Sequence, residues 1–155
     1  MLQKLKNNFI ISTEKNKIDT ATVYNFLSKE SYWAKNISLD MVLKSIEGSC
    51  GFGIYKNEKS NCDFQVGFAR VITDYTTFGY LADVFIIDKY RGIGLSKWLM
   101  EEIMQHPQLQ GFRSWMLGTR DAHSLYEKFG FKCLQNSERI MRLGLREGYP
   151  ELTNR

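Results

Sequence analysis

Cysteine is scarce in this chain and nothing pairs it. The three thiols, Cys50, Cys62 and Cys133, are odd in number and form no CxxC motif, which argues against a disulfide framework and against a zinc site. A reducing, cytoplasmic setting is expected, with no metal. Blocks of like charge are also missing: 21 basic and 17 acidic residues are scattered along the chain for a net charge of +4. That spread gives no basic face for nucleic acid, yet it suits a small anion carrying several phosphates, which needs only a few local cations. No apolar run approaches the ~20 residues needed to cross a bilayer. The basic opening Met1-Leu2-Gln3-Lys4-Leu5-Lys6 is followed by polar sequence, so neither a signal peptide nor a membrane partner is expected. Internal repeats, low-complexity segments and interdomain linkers are absent as well.

What is present is core material. Hydrophobic residues make up 43% and aromatics 14% of the 155 residues, well outside the composition of disordered chains. A single domain of this size buries roughly 70% of its unfolded surface. The domain is expected over residues 1–146, with 147–155 a surface tail. Hydrophobic periodicity predicts a strand over 8–12, a helix capped by Asp19 and running to about 28, and a second helix from Ser38 to Gly48. Strands follow over 50–56, 64–73 and 78–87, as a hairpin extended into a meander. A helix over 95–105 ends at His106-Pro107, a strand covers 112–117, and a helix over 121–129 closes at Gly130. Two last strand-like runs, 131–135 and 139–145, complete the order β-α-α-β-β-β-α-β-α-β-β.

The segment richest in chemical information is Ile86-Ile87-Asp88-Lys89-Tyr90-Arg91-Gly92-Ile93-Gly94-Leu95-Ser96-Lys97, a strand passing through a glycine loop into a helix. Glycines let backbone N–H groups approach an anion, and the helix start adds partial positive charge, so a diphosphate fits there. The loop lacks the Gly-Lys-Ser/Thr ending of a P-loop, and it lacks the third glycine and downstream acid of a dinucleotide fingerprint. A plain tight turn is the remaining alternative.

A second segment narrows the choice. Arg91-Gly92-Ile93-Gly94-Leu95-Ser96 resembles the pyrophosphate loop of the GNAT N-acetyltransferase superfamily. About 30 residues on, Ala122-His123-Ser124-Leu125-Tyr126-Glu127-Lys128-Phe129-Gly130-Phe131 is similar to that family's Ala-x-x-Leu-Tyr-x-x-x-Gly-Phe. The resemblance covers nearly the whole chain and implies an α/β (α+β) GNAT-type single domain, with a central, mostly antiparallel mixed sheet and a V-shaped splay. Ser96 departs from the family's usual Gly or Ala but keeps its N–H, and Thr119 stands where many members have Asn. The resemblance further implies that backbone N–H groups of Gly92, Ile93, Gly94, Leu95 and Ser96 hold the pyrophosphate of acetyl-coenzyme A. Val84 and Ile86 would meet the pantetheine arm, Arg91 and Lys97 would supply nearby cations, and Thr119 would touch the cofactor arm. Tyr126 matches the tyrosine that can protonate the departing thiolate; the alternative is ordinary core packing.

Asp83 is the sole acid within the apolar run 81–87, and a buried carboxylate is costly unless it is paired or used. It stands where some GNAT enzymes carry a general base, and ion pairing or substrate orientation are the alternatives. Tyr32, Trp33, Tyr75 and Tyr80 are expected to wall an amine acceptor, a small molecule in preference to a protein, transferred to directly in a ternary complex. His106 and His123 are isolated, and Cys133 is expected to be buried. A non-catalytic acyl-CoA-binding sensor or interaction domain is the rival reading, and a homodimer is left open.

Overall fold

A computed structural model describes residues 3–57, 63–135, 137–143 and 149. Six strands form one sheet in sequence order: β1 (Gln3–Lys6), β2 (Phe9–Ser12), β3 (Cys50–Lys56), β4 (Phe64–Thr73), β5 (Phe78–Ile86) and β6 (Ser114–Leu117). All neighbours pair antiparallel except β5 and β6, which are parallel. The architecture is the expected mixed, mostly antiparallel α/β sheet.

β1 is additional to the predicted strands. Its four residues are all exposed, so no burial pattern marked it. The turn Asn7-Asn8 has φ of 48° and 64°, the doubly left-handed backbone of a two-residue hairpin, which Asn tolerates better than most residues.

The helices α1 (Thr20–Asn25) and α2 (Leu39–Glu47) start where Asp19 and Ser38 accept hydrogen bonds from first-turn amides. Their apolar faces, with Val23, Val42 and Ile46, pack with Phe26, Phe68 and Phe85. Phe26 stacks on Phe85 with ring centroids 3.9 Å apart. The predicted single helix to residue 28 is instead α1 followed by a wider π turn, Phe26–Glu30. That turn closes with Ser31 N–H donating to the Phe26 carbonyl and opens the chain into the Tyr32–Trp33 loop. On the other face α3 (Leu95–Met104) buries Trp98, Leu99, Met100 and Ile103 against Ile54, Val66 and Val71.

The splay arises from strand length and a bulge. β6 pairs with β5 only from Phe78 to Leu81, so β5 runs on to Ile86 with that edge open. Opposite it, Arg70 pairs with Ala82 while Phe68 pairs with Phe85, leaving one extra residue on β5. Asp83 absorbs it with φ of 54°, a left-handed backbone uncommon outside glycine.

After β6 the predicted helix over 121–129 shrinks to α4 (His123–Tyr126) and a 3-10 turn, Glu127–Phe129, closed by Gly130 at φ 85°. The run 131–135 is irregular, a correction to the predicted strand, and 139–143 also joins no ladder; residues 144 and 145 lie outside the described set. Leu134, Met141 and Leu143 are 56%, 96% and 101% exposed, so neither run gains the burial that would fix a register. Cys133 is exposed too, contrary to the buried cysteine expected, because it lies on that irregular run. Cys62 and most of the expected tail lie outside the described residues. Among the described residues no helix is long and apolar enough to cross a membrane.

Candidate active site

Between β5 and α3 the backbone makes a 3-10 turn, Asp88–Tyr90, and then the glycine loop. Gly92 and Gly94 have φ of 78° and 85°, and a Cβ on either would meet nothing within 4 Å. Glycine is needed there for handedness, and the space above the loop is open. Trp98 N–H makes the first bond inside α3, to the Gly94 carbonyl, so the amides of Leu95, Ser96 and Lys97 have no acceptor within the helix. Arg91 fixes the loop: its Nε donates to the Ile86 carbonyl at 3.0 Å and its Nη1 lies 2.8 Å from Asp88.

A cavity of about 530 Å³ opens at this loop, lined by Arg91, Gly92, Gly94, Leu95 and Ser96, by Val84 and Ile86 from the open edge of β5, and by Tyr126. Ile87 N–H donates toward β4, to the Val66 carbonyl. Strand alternation therefore turns the peptide groups of Ile86 and Val84 to the open edge. Ile93 and Lys97 face elsewhere: they line a separate hollow of about 270 Å³ between α3 and the β1–β2 hairpin, and Lys97 pairs with Glu101 at 3.8 Å.

A second cavity, about 340 Å³, lies on the other side of the splay, lined by Trp33, Arg70, Tyr80, Asp83, Thr119 and Arg142 among others. Tyr32, Trp33, Val84, Asp121, Ala122 and Tyr126 border both cavities. Tyr126 thus faces both cavities. Burial pushes the Tyr126 phenol up to about 12, with the phenol of Tyr32 and the charge of Asp121 adding to the shift; it therefore remains a proton donor at any physiological pH.

Asp83 is held on both oxygens. Its Oδ2 lies 2.5 Å from Arg70 Nε and its Oδ1 accepts from Trp33 Nε1 at 3.0 Å, with side-chain exposures of 8% for Asp83 and 15% for Arg70. Tyr32 accepts the Arg120 N–H at 2.9 Å, and the Arg120 guanidinium lies 3.8 Å over its ring. Thr119 turns its hydroxyl to the Ala122 N–H at 3.0 Å, capping the α4 turn, and borders the second cavity and not the first. Tyr75, also expected at the acceptor site, borders neither: it sits on the β4–β5 turn at φ 58°, its hydroxyl against the Cys50 thiol.

Two residues of the site escaped sequence reasoning. Arg70 carried a signal, since it is the lone charge in β4 as Asp83 is the lone acid in β5, and hairpin register brings the two together. Asp121 carried none, being one more polar residue before a motif. His123 and Cys133 share a third cavity of about 300 Å³ beside β6.

The acetyltransferase (GNAT) domain family matches residues 48–133. The chain is 40% identical to a GNAT-family protein of Xanthomonas campestris pv. campestris, whose solved structure superposes with a TM-score of 0.83 over 90% of this chain and 94% of that one. It is 29% identical over 140 residues to a Gibberella zeae protein provisionally named an acetyltransferase, covering 79% of this chain and 78% of that protein. A Streptococcus agalactiae acetyltransferase structure, 21% identical, shares the fold with a TM-score of 0.68 over 92% of this chain and 95% of that one.

Proposed function

Because the chain belongs to the GNAT acetyltransferase family, we propose that this acyltransferase moves the acetyl group of acetyl-coenzyme A directly onto a primary amine, with both substrates bound together. The observation that carries the reading is the meeting of two cavities at Tyr126. Separate entrances suit two substrates present at once, and neither has to leave before the other arrives.

The donor set at the loop fits the diphosphate of the cosubstrate. Unused amides of Leu95, Ser96 and Lys97 point out of a helix start, beside the left-handed Gly92 and Gly94 and the cation of Arg91. The outward peptide groups of Val84 and Ile86 suit an extended amide-bearing arm, and an N–H of that edge would polarise the thioester carbonyl. Tyr126 gives a proton to the sulfur as the carbon–sulfur bond breaks. The acceptor enters through the second cavity, between Trp33 and Tyr80. Of the roles open to Asp83, its ties to Arg70 and Trp33 favour the orienting one: it holds the bulge and the Trp33 loop in register around the junction. The side chains of Lys97, Ile93 and Thr119 take no direct part in this reading beyond shaping the loop and the α4 turn.

The test is coenzyme A release, measured with a thiol reagent, from acetyl-coenzyme A and a panel of amines. Amine-dependent release by the wild-type protein is expected. Tight coenzyme A binding with no release on any amine would point to a binding module instead.

A further inference from the structure

Amines are protonated near neutral pH, and the nitrogen must lose a proton before its lone pair can attack a carbonyl carbon. A protein base for this step has to reach the nitrogen where the two cavities join. Among the described residues three carboxylates border them. Glu30 lines only the loop cavity and Asp83 only the acceptor cavity, where both its oxygens are engaged. Asp121 alone lines both, is exposed, and makes no hydrogen bond or ion pair among the described residues. Its charge is felt at the Tyr126 phenol, on the group that the sulfur faces in the acyl-transfer reading. Resting on that reading, we propose that Asp121 receives the acceptor ammonium and takes its proton.

The charged groups facing the junction leave Asp121 available. Arg70 is engaged by Asp83, and Arg91 by Asp88 and the Ile86 carbonyl. Arg120 lies over the Tyr32 ring, and Arg142 enters from the chain end on the acceptor side only. Tyr32, Tyr80 and Tyr126 are the phenols around it, and burial keeps the Tyr126 phenol protonated at any physiological pH.

The proton inventory closes. Asp121 takes one proton from the ammonium and, being exposed, passes it to water. The nitrogen forms its bond to the acetyl carbon as the carbon–sulfur bond breaks, the sulfur takes the Tyr126 proton, and the second nitrogen proton restores the phenol. One proton leaves per amide formed.

The experiment is a pH–rate profile of kcat/KM for wild type, Asp121→Asn and Asp121→Glu on the best amine of the panel, with circular dichroism confirming that each is folded. Asp121→Asn is expected to lose about 10²-fold near neutral pH. The loss should shrink toward pH ~10, where free amine becomes abundant, and Asp121→Glu should recover most of the neutral rate. A uniform loss at every pH, or no loss, in a folded Asp121→Asn protein overturns the assignment. A wild type inactive on every amine sinks the acyl-transfer reading itself, and coenzyme A binding measured by calorimetry on the same samples separates that failure from a dead preparation.

Discussion

Replacing Asp83 with Asn tests whether its carboxylate is spent on holding the fold or kept for chemistry. Asn tolerates the left-handed backbone at φ 54° about as well as Asp does, and its amide oxygen can still accept from Trp33. The substitution therefore removes little besides charge. The pair is mostly buried, with side-chain exposures of 8% and 15%, so Arg70 would be left as an uncompensated cation. Breaking a buried pair from one side costs about 3–5 kcal/mol, which for a domain of this size corresponds to a fall in Tm of about 6–20 °C.

The assay is urea unfolding of wild type, Asp83→Asn, Arg70→Met and the double variant, each read by tryptophan fluorescence and by circular dichroism so that two-state behaviour is checked. Each single change should be strongly destabilising, and the double variant should lose much less than the two losses combined, because the second change removes the stranded charge. An Asp83→Asn protein within about 1 kcal/mol of wild type would mean that water already screens Arg70. The argument that Asp83 is occupied would then fail, and with it the ground for preferring Asp121 as base.

Tyr126→Phe is expected to lower kcat by about 10²-fold with little change in KM. The phenol, at about 12, is a weaker acid than a thiol with its pKa near 8.5, so transfer even to the departed thiolate is uphill until a nitrogen proton restores the phenol, and the gain falls at the low end of the usual range; an unchanged kcat in single-turnover measurements would reassign Tyr126 to packing. His106 is 4% exposed, its Nδ1 accepts from Gln108 N–H, and burial lowers its pKa below 6.5. The unfolded chain therefore binds the proton more readily, so the stabilising contribution is full above the unfolded value and is lost as pH falls through the folded one. Unfolding free energy measured by urea titration should drop between about pH 7 and 5 in wild type and stay flatter in His106→Asn, which keeps a capping acceptor without the titration; equal slopes would refute the assignment.

Much of the fold was legible because its strands bury both faces and its helices carry their own punctuation. β3 and β4 have the predicted bounds, since their apolar runs are ended by polar linkers. α2 is bracketed by Ser38 and Gly48, as its capping residues require. Legibility failed where burial stopped informing the pattern. β1 exposes all four residues and is held by a turn whose signal is two asparagines. The π turn after α1 continues the helical spacing of Phe26 and Leu27, so periodicity alone cannot see the wider loop closed at Ser31. The runs after Gly130 read as strands by composition, but nearly every described position in them is exposed, so composition alone could not fix a ladder.

The site divides along a related line. Gly92, Gly94, Leu95, Ser96 and Tyr126 could be placed together at the loop cavity because backbone conformation and motif spacing are properties of one short segment. Asp83 was readable as an anomaly, one acid in an apolar strand, but its meaning depended on Arg70, 13 residues away in sequence and 2.5 Å away in space. Tyr75 does not join the acceptor cavity, where loop aromatics were expected by proximity to β5, because its hydroxyl lies against Cys50 and the ring borders neither cavity. Asp121 shows the limit most clearly: nothing in its neighbours distinguishes it from other surface acids, and its interest comes wholly from bordering two cavities that exist only because β6 stops at Leu117 while β5 continues to Ile86. If acyl transfer happens at that junction, the sheet's early parting of β5 from β6 is what places a solvent-connected carboxylate and a buried phenol around one point, the first suited to take a proton and the second to give one.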